Sequence, residues 1–427
     1  MSQLALESDP YLEEAGNVPH AGRLNAHRPI PRISIQVFCE AEAVAKQISR
    51  ASEDRRMAKA NTQIHMGGVE AAVELFQTVP TPNLIVLETG ASPRDMLPAL
   101  AALSEVCDPS TKVVIIGHYN DVWLYRELMK NGISEYMVAP IDLSDVIGVI
   151  GGLYSDPESK PLGNSIAFIG AKGGVGASTI AHNVGWAISS LFKNEVVIAD
   201  MDLPYGTANI NFDQDPAQGI AEAVFSPERI DDVYLDRLLA QCADNLSLLA
   251  APSTLDRVFD FRDDSFAHLI DIAQRSVPHV ILDVPHTWNG WTRTTLARAD
   301  EVVIVASPEL ANLRNTKNLI DALKQLRPND TEPQLILNQV GIPKRPEIAP
   351  LDFCSPLGIK AIATIAFDPA LFGNASNNGR MLGETEPASP VVQSINEIAH
   401  ILTGRQKVNP RKKAGLGSVF SKLKRKK

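Results

Sequence analysis

The chain has 427 residues but only four cysteines, Cys39, Cys107, Cys242 and Cys354. They are scattered, and no CxxC pair or Cys/His cluster joins them. Neither a disulfide framework nor a zinc site is suggested, and buried free thiols are expected. No apolar run approaches the roughly eighteen residues that a membrane-spanning helix needs. The opening stretch, MSQLALESDPYLEEAGNVPH, is acidic where a secretion signal is basic and then apolar, so a cytoplasmic chain is expected. No internal repeat recurs.

Positive charge is also scarce over most of the chain. The net charge is −10, yet residues 405–427, RQKVNPRKKAGLGSVFSKLKRKK, hold ten Lys/Arg and no acid. The remainder therefore carries 30 basic against 50 acidic residues, a balance of −20. An acidic body argues against nucleic-acid binding and leaves the basic tail as a contact device. With 44% hydrophobic and 21% charged residues, a chain of this length has ample core for two domains and tails.

Residues 1–32 are polar and proline-punctuated, the composition of a disordered segment. From 33 to 154, short apolar runs alternate with helical stretches: ISIQVFC, PNLIVLE, a helix through PRDMLPALAALSEV, KVVIIG, a helix through DVWLYRELMKNG, EYMVAP and a last helix from Leu143. SDPESKPLGN, residues 155–164, breaks the pattern and reads as a linker. Residues 165–404 restart the alternation with SIAFIGA, EVVIADMD, LSLLAA, HVILDVP, EVVIVAS, QLILNQV and AIATIAF. Runs this rich in Val, Ile and Leu belong to strands buried on both faces, so two α/β domains are expected, each a parallel sheet between layers of helices. Such sheets bind ligands at the carboxyl ends of their strands.

At the end of SIAFIGA stands AKGGVGAST, followed at once by an amphipathic helix. Gly173, Gly174 and Gly176 let the backbone approach phosphate oxygens, and the helix start adds unpaired amides and a favourable dipole. The loop Gly173, Gly174, Val175, Gly176, Ala177, Ser178 and Thr179 is therefore a candidate phosphate cradle, with the Ser178 hydroxyl as a Mg²⁺ ligand. One element is missing: the lysine that normally precedes Ser/Thr is Ala177, while a lysine appears early, at Lys172. Asp200 and Asp202 stand at one strand end and Asp283 at another, supplying carboxylates for a metal and for orienting a water.

Together with DMDLPYG, LDVPH, VASPELANLRNTKNLIDAL and IAFDPALFGNASNNGRML, this loop resembles the deviant Walker A ATPases of the ParA/MinD class, over essentially all of residues 165–404. The order of domains resembles the CpaE/TadZ branch, localisation proteins of tight-adherence (Flp-type) pilus assembly. The resemblance implies ATP and Mg²⁺ as ligands and an ATP-dependent homodimer in which Lys172 reaches the partner's phosphates. It implies Asp202 near the attacking water, Asp200 and Asp283 in the metal shell, and Asn338 against adenine. An alanine at 177 lacks a transition-state contact whose loss costs on the order of 3 kcal/mol, so slow hydrolysis, or a non-hydrolysing scaffold, is expected. A chromosome- or plasmid-partitioning or MinD-like positioning ATPase is the alternative.

The first domain resembles a response-regulator receiver (flavodoxin-like), with NGISEYMVAP as its ending. Its chemistry is absent: Glu88 stands at the phosphoacceptor position, Gly117 at the hydroxyl position, Ala139 at the lysine position, and Cys39 and Glu40 replace the acidic pair. A degenerate, non-phosphorylated interaction domain is expected. In the tail, Leu416, Val419, Phe420 and Leu423 share one helical face amid basic residues, a pattern suited to an anionic membrane surface. The combined expectation is a pilus or secretion assembly protein, cytoplasmic or peripheral at the inner membrane or cell pole.

Overall fold

The computed structural model describes residues 29–154, 162–255 and 257–405. The expected disordered N-terminus up to residue 28, most of the linker and the basic tail from 406 lie outside the described residues. The chain divides into two compact units. Of the described residues, one comprises 29–154 and 162 with Asn289–Asp300 and Lys317–Pro333; the other comprises 163–255, 257–288, Glu301–Thr316 and 334–405.

The first unit contains a parallel sheet of β1 (Ser34–Cys39), β2 (Asn61–Met66), β3 (Leu84–Thr89), β4 (Lys112–Gly117) and β5 (Glu135–Val138), in the order β2-β1-β3-β4-β5. Alternation along a strand sends neighbouring side chains to opposite faces, and β3 displays this directly. Val86 joins one apolar cluster with Val44, Ile48, Ile147 and Ile150, from the helices Glu42–Ser52 and Leu143–Leu153. Ile85 and Leu87 join another with Phe76, Leu100 and Leu128, from the helices Gly68–Phe76, Pro93–Ser104 and Val122–Lys130. Helix starts follow from their caps: Asp121 accepts from Trp123 N and Leu124 N, and Asp142 and Asp145 form a reciprocal capping box. β2 was not among the expected strands. NTQIHM holds no apolar run, because an edge strand half open to solvent needs none.

The receiver-like positions are occupied by structural contacts. Glu88 is fully buried, and its Oε2 accepts from the amides of Glu40 and Ala41 at 2.8 and 2.9 Å. Glu40 returns the bracing by accepting from Gly90 N at 2.8 Å. A Cβ at Gly117 would collide with the phenol of Tyr136, whose hydroxyl donates to the carbonyl of Tyr119 at 2.8 Å. Burial, with Glu88 nearby, pushes the Cys39 thiol up to about 12, so this free cysteine stays protonated.

The first unit also holds a buried ion network. Arg56 bridges Asp54 and Asp330 at 2.9 and 2.7 Å, Arg55 bridges Asp330 and Asp300 at 2.9 and 3.2 Å, and Arg327 reaches Asp330 at 2.9 Å.

The second unit contains β6 (Asn164–Gly170), β7 (Val196–Asp200), β8 (Ala240–Ala243), β9 (Leu246–Leu249), β10 (His279–Val284), β11 (Glu301–Ala306), β12 (Gln334–Val340) and β13 (Ala361–Ala366). Their order is β13-β12-β11-β6-β10-β7-β9-β8, parallel except for the antiparallel edge strand β8. The seven apolar runs are strands; β8, the short AQCA, carries too little apolar pattern to read beforehand. The helix Ala177–Phe192 lays Ile180, Val184, Ala187 and Ile188 against Ile166, Phe168, Ile198 and Ile281 of the sheet. Gly185 permits this approach, since a Cβ there would lie 2.8 Å from Ile198 Cδ1. On the other face, Leu269, Ile270 and Ala273 of the helix Ala267–Ser276 cover Val197, Val280 and Leu282. No helix among the described residues is long and apolar enough to cross a membrane.

Candidate functional site

The loop after β6 leads into the helix Ala177–Phe192, with Gly174 and Gly176 at φ 81° and 84°, where glycine relieves the strain a Cβ would bring. Four side chains from distant segments hold its carbonyls and that of Gly170 at the strand end. His286 Nδ1 lies 2.7 Å from Gly170 O, Asn315 donates to Ala171 O at 2.9 Å, Gln339 to Gly174 O at 2.9 Å, and Asn338 to Val175 O at 2.8 Å. Ser307 in turn donates to Gln339 Oε1 at 3.0 Å. A loop gripped by its carbonyls is preformed, which lowers the ordering cost of wrapping its amides around an anion.

This loop lines a cleft of about 510 Å³ with Lys172 to Thr179 along one side, Asp202 and His286 beside them, and Ala366, Phe367, Pro369 and Phe372 as an apolar wall. The polar and apolar ends suit a ligand with an anionic chain and a flat ring. Ser178 and Thr179 open the helix into this space. Ala177 packs against the core, so its side chain adds no charge to the cleft.

The three aspartates separate by depth. Asp200 and Asp283 are register partners on β7 and β10, both buried. Asp200 accepts from Asp202 N and Ala208 N at 3.2 and 3.1 Å, and Gly206 has no Cβ to collide with its carboxylate. Burial, then the neighbouring Asp283, push Asp200 up to about 7. The two carboxylates repel one another, a repulsion that a divalent cation beside them would relieve, and neither lines the cleft. Asp202 lines the cleft itself; β7 ends at Asp200 and the chain turns there, so Asp202 stands closer to solvent.

Lys172 is half exposed, with Nζ 3.5 Å from Glu309 Oε2; Glu309 also receives Asn312 at 3.2 Å and Arg345 at 3.5 Å. Asn338 is buried, and its side-chain amide is engaged with the loop's own backbone. Sequence reasoning missed His286, Gln339, Asn315 and His182. His182 is buried in the helix after the loop, with Nε2 3.1 Å from Asp283 Oδ2. A lone histidine in an apolar helix carries no signal of such a partner, whereas His286 could have been read from its place just beyond the strand end in LDVPH.

The sequence family described as AAA domain matches residues 163–336. The septum site-determining protein MinD of Bacillus subtilis (strain 168) is 23% identical over 257 residues, 57% of this chain and 90% of the relative. The structure of the septum site-determining protein MinD complexed with Mg-ADP from Pyrococcus horikoshii OT3 matches with a TM-score of 0.51 at 18% identity, covering 56% of this chain and 96% of that one, a likeness of fold. The crystal structure of a pilus assembly protein CpaE from Caulobacter crescentus CB15 is 46% identical, covering 30% of this chain and 98% of that one, with a TM-score of 0.30. The chain belongs to the CpaE-type ParA/MinD ATPases.

Proposed function

We propose that the protein binds ATP with Mg²⁺ in the second unit's cleft, dimerises around it, and positions pilus or secretion assembly machinery at the cytoplasmic face of the inner membrane or the cell pole. The observation that carries this reading is the preformed loop, its carbonyls gripped by His286, Asn315, Gln339 and Asn338 beside the Ser178–Thr179 helix start. Ser178, Asp283 and Asp200 would hold Mg²⁺, which supplies charge neutralisation at the phosphates. Asp202, in the cleft, would orient a water, and Asn338 would keep the loop shaped. Lys172, exposed at the rim, is available to a second copy. The pilus role is supported by the 46% identity to the Caulobacter pilus assembly protein CpaE. The basic segment 405–427 would contact an anionic membrane surface.

Ala177 favours a second reading, a nucleotide-held scaffold with little turnover, because position 177 offers no lysine to steady charge during phosphoryl transfer. Calorimetric titration of the full chain with ATP, with and without Mg²⁺, tests binding. A steady-state ATPase assay of wild type, Ala177→Lys and Asp283→Ala separates the two readings. A site that turns over slowly gains rate in Ala177→Lys above the Asp283→Ala background; a scaffold does not.

A further inference from the structure

Four side chains of the second unit form a continuous line. Asp283 Oδ2 lies 3.1 Å from His182 Nε2, His182 Nδ1 lies 3.2 Å from Asn211 Nδ2, and Asn211 Oδ1 receives the Ser376 hydroxyl at 3.3 Å. His182 is 1% and Asp283 3% exposed, and the imidazole rests against the Phe212 ring at a centroid distance of 5.7 Å. Ser376 belongs to the helix Pro369–Asn377, whose Pro369 and Phe372 form part of the apolar wall of the cleft. The line therefore runs from Asp283 on β10, beside β6, to the helix that carries part of the apolar wall.

Nε2 of His182 faces a carboxylate oxygen, which accepts and does not donate, so the geometry matches an imidazole that carries its proton on Nε2 and gives it to Asp283, with Nδ1 turned to the Asn211 side chain. One carboxylate oxygen is thus occupied and the rotamer of Asp283 set, leaving Oδ1 for other partners. We propose that His182 is a positioning residue, which holds the Asp283 carboxylate in place for a divalent cation and couples it, through Asn211 and Ser376, to the cleft wall. This rests on the reading of the cleft as a nucleotide·Mg²⁺ site. Partners that orient a ligating side chain are typically worth about 10–100-fold in metal affinity.

The test uses the full chain and a fluorescent ADP analogue titrated with Mg²⁺. His182→Leu should raise the half-saturating Mg²⁺ concentration about 10–100-fold while leaving affinity measured in EDTA unchanged. Asn211→Ala should shift it in the same direction by less, and His182→Gln, which keeps an N–H donor, should recover part of the loss. In an Asp283→Ala background, adding His182→Leu should change nothing further, which a merely structural role would not give. Equal Mg²⁺ dependence in wild type and a folded His182→Leu protein, or the same added loss without Asp283, would overturn the proposal. Long-range ¹H–¹⁵N spectra of the nucleotide-free protein read the tautomer directly. An Nε2–H imidazole is expected, and an Nδ1–H imidazole overturns the proposal irrespective of nucleotide. If wild type bound no analogue at all, the nucleotide reading would fall and the cation role of His182 with it, a result the tautomer spectrum keeps distinct.

Discussion

Asn338 donates its side-chain amide to the carbonyl of Val175, 2.8 Å away and 163 residues earlier in the chain, and a Cβ on the intervening Gly176 would sit 2.7 Å from that same nitrogen. The end of β12 and the phosphate loop are thus built against each other. Asn338→Ala leaves a buried carbonyl without its donor, at a cost of about 1–3 kcal/mol, and should weaken ATP and GTP binding in parallel. A collapse of the ATP-to-GTP preference with unchanged thermal stability would instead assign Asn338 to the base.

Lys172 rests 3.5 Å from Glu309 and remains half exposed. If it serves a second copy, Lys172→Ala should abolish ATP-dependent dimerisation while monomer affinity for nucleotide stays near wild type, as read by light scattering beside calorimetry. Equal losses in both would place Lys172 in its own chain's site.

Within the first unit, Asp330 collects Arg55, Arg56 and Arg327. Burial alone would raise its carboxyl, but Arg55, Arg327 and Arg56 outweigh burial and hold it below its ordinary value. A carboxylate lowered on folding contributes stability that is present above the unfolded value, about 4, and is lost as pH falls through the folded one. Asp330→Asn should therefore cost about 3–5 kcal/mol near neutrality by leaving arginines buried without their anion. It should also flatten the acid limb of stability measured by urea titration; an unchanged limb would refute the assignment.

Glu88 is committed to the Glu40 and Ala41 amides, and Tyr136 fills the space beside Gly117. Acetyl phosphate should therefore leave the chain's mass unchanged. A labile adduct of phosphoryl mass on a peptide containing Glu88 would show that the receiver-like unit still accepts phosphate.

The phosphate loop and most strands were legible because glycine placement and unbroken Val/Ile/Leu runs are local signals. β2 and β8 were not, since edge strands such as NTQIHM and AQCA need no apolar run. The three aspartates could be placed at strand ends, but their depth could not. Asp200 and Asp202 are two apart, and only the end of β7 at Asp200 separates a buried carboxylate from one in the cleft. The grip on the loop by Asn315, Asn338 and Gln339 joins residues more than 140 positions apart, which periodicity cannot reveal. His182 likewise gains its meaning from Asp283, 101 residues away.

If the cleft takes ATP with Mg²⁺ and two chains close around it, native mass spectrometry of the full chain with ATP·Mg²⁺ should show a species of twice the chain mass carrying one nucleotide per chain. That species should vanish when Mg²⁺ is chelated. A monomer without nucleotide at saturating ATP·Mg²⁺ would refute ATP binding and closure alike.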